Sequence, residues 1–369
     1  MVRYNSLMIN AGNDKLSLLE LSIPQLEDWL RGQGEPPFRA RQIYQWMHKD
    51  YATDFSMMTN LPKALRDKLA TIAQVESLSA IAETASTDRL TRKVLLRLRD
   101  GSSVESVLMT YLPTSDSRAR RTVCVSSQAG CAVGCPFCAT GRSGLLRNLT
   151  TGEIVAQVLH FARVVRKLYS SSAGVTNLVF MGQGEPLANF SAVWAAVECL
   201  NSPYGLNLGA RHMTISTVGL VPQIVDLANR PLQVGLAISL HAPNDTLRNE
   251  LVPMNKRYPI AAMLEACREY ITRTNRRISF EYALIAGVND TVDLARELAL
   301  LLRGMLCHVN LIPLNEVPAS SYRAPSRDTV LAFQTELQRR GIIATVRTER
   351  GAHIDAACGQ LRARRLGQS

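Results

Sequence analysis

No apolar run in this 369-residue sequence approaches the length of a bilayer-spanning helix. The stretch after Met1 soon meets Asp14 and Glu20 and lacks the apolar core of a secretory signal, so no membrane partner and no exported chain are expected. Acidic residues are in deficit: 31 Asp and Glu against 42 Lys and Arg give a formal charge of +11 and a pI near 9.5. That imbalance points to a polyanionic partner, most simply nucleic acid, with a basic surface that binds nothing as the plainer alternative. Eight cysteines in a chain this long, three of them clustered, do not make a disulfide scaffold. They suit metal or redox chemistry in a reducing compartment, which makes the expected location cytoplasmic. The hydrophobic share of 46% is that of a globular protein with a sizeable core.

The clustered cysteines form Cys131-Ala-Val-Gly-Cys135-Pro-Phe-Cys138, a C-x3-C-x2-C run. Three thiolates at this spacing suit three irons of a 4Fe–4S cluster and leave the fourth iron without a protein ligand. Zinc is the alternative, and it would want a fourth ligand such as Cys124 or His160. Buried free thiols are the third reading.

Along the chain, the pattern predicts a helix from Ser22 to Leu30, with Ser22 as cap and Pro24 in the first turn. Further helices are predicted from Phe38 to His48, carrying Arg39 and Arg41, and from Pro62 to Leu69. This small helical unit reads equally as a nucleic-acid grip or a cap. Val94–Leu98 and Val104–Met109 flank Asp100-Gly101 as a hairpin. Glu105 lies in its second strand, where a carboxylate most simply faces solvent. Arg118, Arg120 and Arg121 follow in a polar stretch suited to a linker or to phosphate contacts. From Thr122 onward the pattern alternates. Strands are predicted at 122–126, 175–181, 212–217, 234–240, 278–284, 307–313 and 342–346, with helices between most of them. The helix from Thr150 opens on a capping box, Thr150-Thr151-Gly152-Glu153. Repeated β/α units imply a parallel sheet or barrel whose site gathers at the C-terminal ends of the strands. There stand the cysteine run, then Gly182-Gln183-Gly184-Glu185-Pro186, Ser216, Ser239-Leu240-His241 and Asn315. Taken singly, the glycine segment reads as a turn, Ser and Asn as strand terminators and the His as a satisfied structural one. Together they suit a polar cofactor bound beside an open iron.

The C-x3-C-x2-C run after the first strand of this alternation, with Gly184-Glu185-Pro186 after the second, resembles the radical S-adenosylmethionine superfamily. Cys124-Val-Ser-Ser-Gln-Ala-Gly-Cys131, Arg147-Asn148-Leu149, Met181 to Asn189, Ser239-Leu240-His241 and Ile354-Asp-Ala-Ala-Cys358-Gly-Gln-Leu361 resemble the RlmN family more narrowly. Those enzymes methylate carbon 2 of adenine in 23S rRNA and in tRNA, next to the anticodon. The resemblance implies an α/β fold, a radical-SAM partial (β/α)6 barrel at residues 91–348. A small N-terminal helical, RNA-contacting domain and linker would occupy 1–90, and a C-terminal segment with the methyl-accepting cysteine 349–369. It implies a 4Fe–4S cluster on Cys131, Cys135 and Cys138, two S-adenosylmethionines per turnover, an electron donor to the cluster and a monomer.

Carbon 2 of adenine is electron-poor and has no lone pair to attack a methyl donor, so a radical route is needed. By resemblance, Cys358 accepts a methyl group, loses a hydrogen atom to a deoxyadenosyl radical and adds to the ring. Glu105 is then the base that takes the ring proton. Cys124 is the thiol that attacks the sulfur of Cys358, leaving a Cys124–Cys358 disulfide for reductants to reopen. Gly184, Glu185, Ser216, Ser239, Leu240, His241 and Asn315 are implied as the cofactor site. Cys199, Cys267 and Cys307 match no motif and read as core. Gln183 departs from the family, which usually has methionine there. The alternatives are the sister family that methylates carbon 8 of the same adenine and, in another class, a non-enzymatic iron–sulfur or zinc RNA-binding module.

Overall fold

The computed structural model describes residues 15–76, 78–315, 320–347 and 354. At its start, β1 (Leu16–Ser17) pairs in parallel with β2 (Ala73–Gln74) and closes off three helices: α1 (Ile23–Gly32), α2 (Arg39–His48) and α3 (Lys63–Ile72). The amide of Ser22 donates to Gln25 Oε1 at 2.9 Å ahead of α1, and Pro24 occupies its first turn, where a missing N–H costs nothing. Leu26, Leu30, Ile43, Met47 and Leu69 are fully buried between these helices and the rest of the molecule.

Ten strands then make one open sheet. β3 (Ser79–Ala85), β4 (Thr91–Arg97) and β5 (Ser103–Tyr111) run antiparallel and join β6 (Arg120–Cys124). From β6 the sheet is parallel through β9 (Asn177–Phe180), β10 (Met213–Thr217), β11 (Gly235–Ser239), β12 (Ile278–Leu284), β13 (Cys307–Pro313) and β14 (Ala344–Val346). A hairpin of β7 (Gln128–Gly130) and β8 (Leu145–Asn148) stands apart from it, with the short α4 (Ala139–Arg142) between its strands. Helices α5 (Thr151–Leu168), α6 (Phe190–Asn201), α7 (Val221–Ala228), α9 (Ile260–Thr274), α10 (Val292–Leu301) and α11 (Arg327–Arg339) return the chain after β6 and β9–β13; α8 (Asp245–Leu251) precedes α9. This is the expected partial (β/α)6 barrel, with β14 added at its edge. β3 was not expected: it lies within the 1–90 span assigned to helices and linker, yet it is the last strand of the main sheet. Its half-exposed residues pair on one side only, so neither an apolar run nor a strict alternation marks it.

The two faces of the sheet differ. Ile215, Leu236, Ile238, Phe280, Val309 and Leu311 pack with the helices into the main core. Directly paired residues share a face, and the opposite face carries Ser216–Ala237–Ser279–His308 in one row and Ser239–Glu281–Asn310–Thr345 in the next. A filled barrel would hold branched apolar side chains there. These small and polar rows instead leave an open, hydrogen-bonding interior.

Candidate active site

The site is built at the C-terminal edge of the parallel strands. The cysteine run leaves β7 through Gly130, whose φ of 80° and close approach to Gly144 O exclude a side chain: a Cβ would sit 2.0 Å from that oxygen. The amide of Cys131 donates to Gly144 O at 2.8 Å, and that of Cys138 to Cys135 O at 3.1 Å, fixing the loop. Cys135 packs with Val133, Ala242, Leu251, Val252, Ile285 and Leu314 in one small apolar cluster, with Cys131 and Cys138 against it. Burial pushes the Cys131 thiol up to about 11 and raises Cys135 further. A metal there must therefore displace protons held tightly.

This donor set fits a 4Fe–4S cluster better than zinc. Among the described residues, no three His, Cys, Asp or Glu side chains gather round one metal-ion position. A tetrahedral zinc with bonds of about 2.3 Å would bring its sulfurs within ~3.8 Å of one another, whereas a cluster holds each thiolate on its own iron. His160, the candidate fourth zinc ligand, lies on α5 edge-on to Phe161, under the field of Arg163 and Glu83.

Beside the loop opens a cavity of about 280 Å³ lined by Phe137, Cys138, Gly184, Glu185, Ser216, Ser239, His241, Glu281, Asn315 and Arg347, among others. The Glu185 carboxylate accepts from the amides of Leu187 (3.0 Å) and Val218 (2.8 Å). Burial nevertheless raises its pKa to about 7, the hydrogen bonds only partly offsetting the desolvation. Gly184 has a φ of 98°, and a Cβ on it would meet Gln128. The Ser216 and Ser239 hydroxyls lie 3.4 Å apart. His241 has a φ of 61°; its Nδ1 accepts from the Ala283 amide at 3.0 Å. Burial pushes its pKa down to about 3, so it is neutral, with Nε2–H as its donor. Leu240 does not face the cavity: its side chain is in the core, and its backbone N–H bonds to Glu281 O at 3.0 Å.

Glu105 and Cys124 come together without being cavity residues. Lys93, Val107, Cys124, Val179 and Thr214 form one cross-strand row on the inner face, and Glu105 stands on the same face one pair further along β5. Because β5 runs against β6, Glu105 falls beside Ser126, at the rim from which the cysteine loop starts; Ser126 Oγ donates to Glu105 O at 2.6 Å. Glu105 is buried rather than solvent-facing, and Lys93 Nζ lies 4.0 Å from its carboxylate. Cys124 is buried, and Cys358, its expected disulfide partner, lies outside the described residues. Cys267 and Cys307 are core, as expected, while Cys199 touches Tyr44 and His48 beneath the helical unit. Gln183 is buried, and its Oε1 has no hydrogen-bond partner among the described residues. Lys93, Glu281 and Arg347 belong to no sequence motif. The one signal that could have found the first is a lysine in an apolar strand whose hairpin partner carries a carboxylate.

A partial β/α barrel with an open-sided cysteine trio after β6 and a Gly-Glu-Pro turn after β9 defines a radical S-adenosylmethionine enzyme, and residues 125–298 match the Radical SAM superfamily model. Its cofactors are a 4Fe–4S cluster and S-adenosylmethionine. Residues 16–75 match the ribosomal RNA large subunit methyltransferase N-terminal domain. The chain is 46% identical over 348 residues to a "probable dual-specificity RNA methyltransferase RlmN" of Geobacillus kaustophilus, covering 94% of this chain and 93% of that one. It is 47% identical over 386 residues to a protein of the same name from Roseiflexus castenholzii, covering 94% and 95%. A crystal structure of a radical SAM methyltransferase from Sphaerobacter thermophilus superposes with a TM-score of 0.89 at 51% identity, covering 94% of this chain and 98% of that one. The chain belongs to the RlmN family of radical SAM RNA methyltransferases. Among the described residues no helix is long and apolar enough to cross a membrane.

Proposed function

We propose that this enzyme methylates carbon 2 of adenosine in 23S rRNA and tRNA, in the cytoplasm, with Cys358 as methyl carrier, Glu105 as base and Cys124 as resolving thiol. The observation that carries the reading is the shared inner face of Glu105 and Cys124, on adjacent strands at the rim where the cysteine loop begins. A non-enzymatic iron–sulfur or zinc module has no use for a buried carboxylate and a second thiol there. When bound, the cluster and S-adenosylmethionine supply a carbon radical, and a one-electron donor is needed to keep them supplied. Cys131, Cys135 and Cys138 hold the iron. Glu185 receives the cofactor's ammonium group, while Ser216, Ser239, His241 and Asn315 offer hydrogen bonds to its polar parts.

The residues of the chain then perform the release. With adenine joined through a methylene to the Cys358 sulfur, Glu105 takes the proton on carbon 2, and the unpaired electron of the ring leaves to a one-electron acceptor, a role the bound cluster would fill, so that the aromatic ring is restored. The Cys124 thiolate attacks that sulfur, the carbon–sulfur bond breaks, and its electron pair goes to the methylene, which gains a proton to become the methyl group. The Cys124–Cys358 disulfide formed is reopened by a dithiol reductant. Lys93 sits where it can hold the Glu105 carboxylate in place.

Mass spectrometry of nucleosides from RNA treated with the reconstituted enzyme should give 2-methyladenosine, and 8-methyladenosine would overturn the assignment in favour of the sister family. Cys124→Ala should accumulate a protease-sensitive protein–RNA adduct. Clean product from that variant would remove Cys124 from the release step.

A further inference from the structure

Arg248, on α8, is fully buried. Its Nε donates to Leu240 O at 3.0 Å, its Nη1 to Asn255 Oδ1 at 2.7 Å, and its Nη2 to Val218 O at 2.6 Å and Ser239 O at 3.1 Å. Every acceptor is neutral. Among the described residues, no carboxylate lies within ion-pair distance; Asp245 acts only from behind Asn255, whose Nδ2 donates to it at 2.8 Å. A buried cation without an anion is strongly disfavoured, and three carbonyls plus an amide satisfy its N–H groups without cancelling its charge.

The charges around it show where the missing anion belongs. The groups that act on Arg248 are the Cys135 thiol, then Asp245, then the Cys267 thiol in the core, and His241 nearby is neutral. Leu251, the last residue of α8, and Val252 after it pack in the same small cluster as Cys135. Of the acceptors, Val218 directly follows β10 and Ser239 ends β11, both lining the cofactor cavity, and Leu240 is the next residue after Ser239. The side chain therefore ties two cavity strand ends together and presents a permanent positive charge to the cysteine loop.

We propose that Arg248 is a positioning residue whose charge is the built-in counterpart of the iron-bound thiolates, and that it makes the cluster easier to reduce. The inference rests on the reading that Cys131, Cys135 and Cys138 hold a cluster. Reduction adds one electron from an external one-electron donor, with no proton and no bond change, to a group already carrying three thiolates. A nearby fixed cation stabilises the more negative state, and net charge is one of the quantities that set cluster potentials.

The test is a redox titration of the full-length, anaerobically reconstituted enzyme, reading the paramagnetic signal of the reduced cluster against potential. Arg248→Gln removes the charge and should lower the equilibrium constant for reduction about tenfold, which is about 59 mV for one electron. Arg248→Lys keeps the charge but loses the planar fork, and Asn255→Ala keeps the charge but loses one hydrogen bond; both should stay within about threefold of wild type. A role limited to pinning the strand ends predicts equal shifts in the Gln and Lys variants, because both lose the planar fork. An unchanged potential in Arg248→Gln, or equal shifts in the Gln and Lys variants, overturns the proposal. Should the Gln variant fail to fold, tenfold shifts in both Arg248→Lys and Asn255→Ala overturn it, and unshifted potentials in both support it. If wild-type protein takes up no cluster at all, it is the cysteine assignment that fails, not the role of Arg248.

Discussion

Glu185 carries two opposed demands in one carboxylate. Its folded pKa of about 7 lies above the ordinary 4.5, so the folded enzyme holds this proton more tightly than the unfolded chain. The contribution to stability is therefore greatest at low pH, is lost as pH rises from about 4.5 to about 7, and is constant above that. At 1.36 kcal/mol per unit the loss is on the order of 3 kcal/mol. Glu185→Gln should remove that part of the slope, seen by comparing thermal midpoints of the cofactor-free proteins at pH 5 and 7.5. Cofactor binding runs the other way, because an ammonium group wants the ionised carboxylate. S-adenosylmethionine affinity should rise several-fold between pH 6 and 7.5 and fall again once the cofactor's α-amino group, with a pKa near 8, loses its proton. A wild-type affinity flat from pH 6 to 7.5 in calorimetry would remove Glu185 from that contact.

Gln183 is the other residue whose chemistry is at odds with its place. A buried carbonyl oxygen without a partner costs about 1–3 kcal/mol, and a thioether of similar length carries no such requirement. Gln183→Met should raise the thermal midpoint of the cofactor-free enzyme by a few degrees. A lower midpoint would mean that the amide of this residue serves a bond that methionine cannot make.

At the scale of elements, the Gly182–Pro186 turn is clamped onto the end of β6. The Gly182 amide donates to Val125 O at 3.0 Å, and Ser126 Oγ accepts from the Gln183 amide at 2.9 Å. A Cβ on Gly182 would stand 2.7 Å from the Val125 carbonyl and from Ser126 Oγ, and the carbonyl is backbone that cannot turn aside. Gly182→Ala should cost about 1–3 kcal/mol of stability and weaken S-adenosylmethionine binding at least tenfold, checked by denaturant unfolding and calorimetry. Wild-type values in both would show that the turn is free to move. The same elements show what a sequence discloses. β12 and β13 fall at their expected residues, 278–284 and 307–313, because buried parallel strands are apolar runs bounded by clear breaks. The cysteine loop and the Glu185 turn were legible because their chemistry is written in contiguous residues. The inward rows through Glu281 and Lys93 were not, since membership of a row depends on the register between strands far apart in the chain. Arg248 escaped for the same reason: its acceptors, Val218, Ser239, Leu240 and Asn255, come from segments joined only by the fold.

For the whole molecule, the excess of +11 meets aromatic rings at separate places. Arg39 lies 4.8 Å from the centre of the Phe38 ring, and Arg41 5.4 Å from that of Tyr204. Arg120 covers Tyr111 at 4.1 Å where β6 begins, the edge of the sheet opposite the cysteine loop. Arginines there cannot reach a base held at the cavity; they can bear only on RNA backbone that extends around the molecule. A target base must leave its stack to reach the site, at a cost of a few kcal/mol, and distributed phosphate contacts are a physical means of offsetting it. Replacing Arg39 and Arg41 together by alanine should weaken RNA binding uniformly across sequences and reduce the slope of log affinity against log salt by about two, one per lost phosphate contact. Turnover at saturating RNA should be nearly kept, since neither residue lines the cofactor cavity. Filter binding across a salt series is the measurement. An unchanged slope would take the RNA path off the helical unit and leave the barrel to hold its substrate alone.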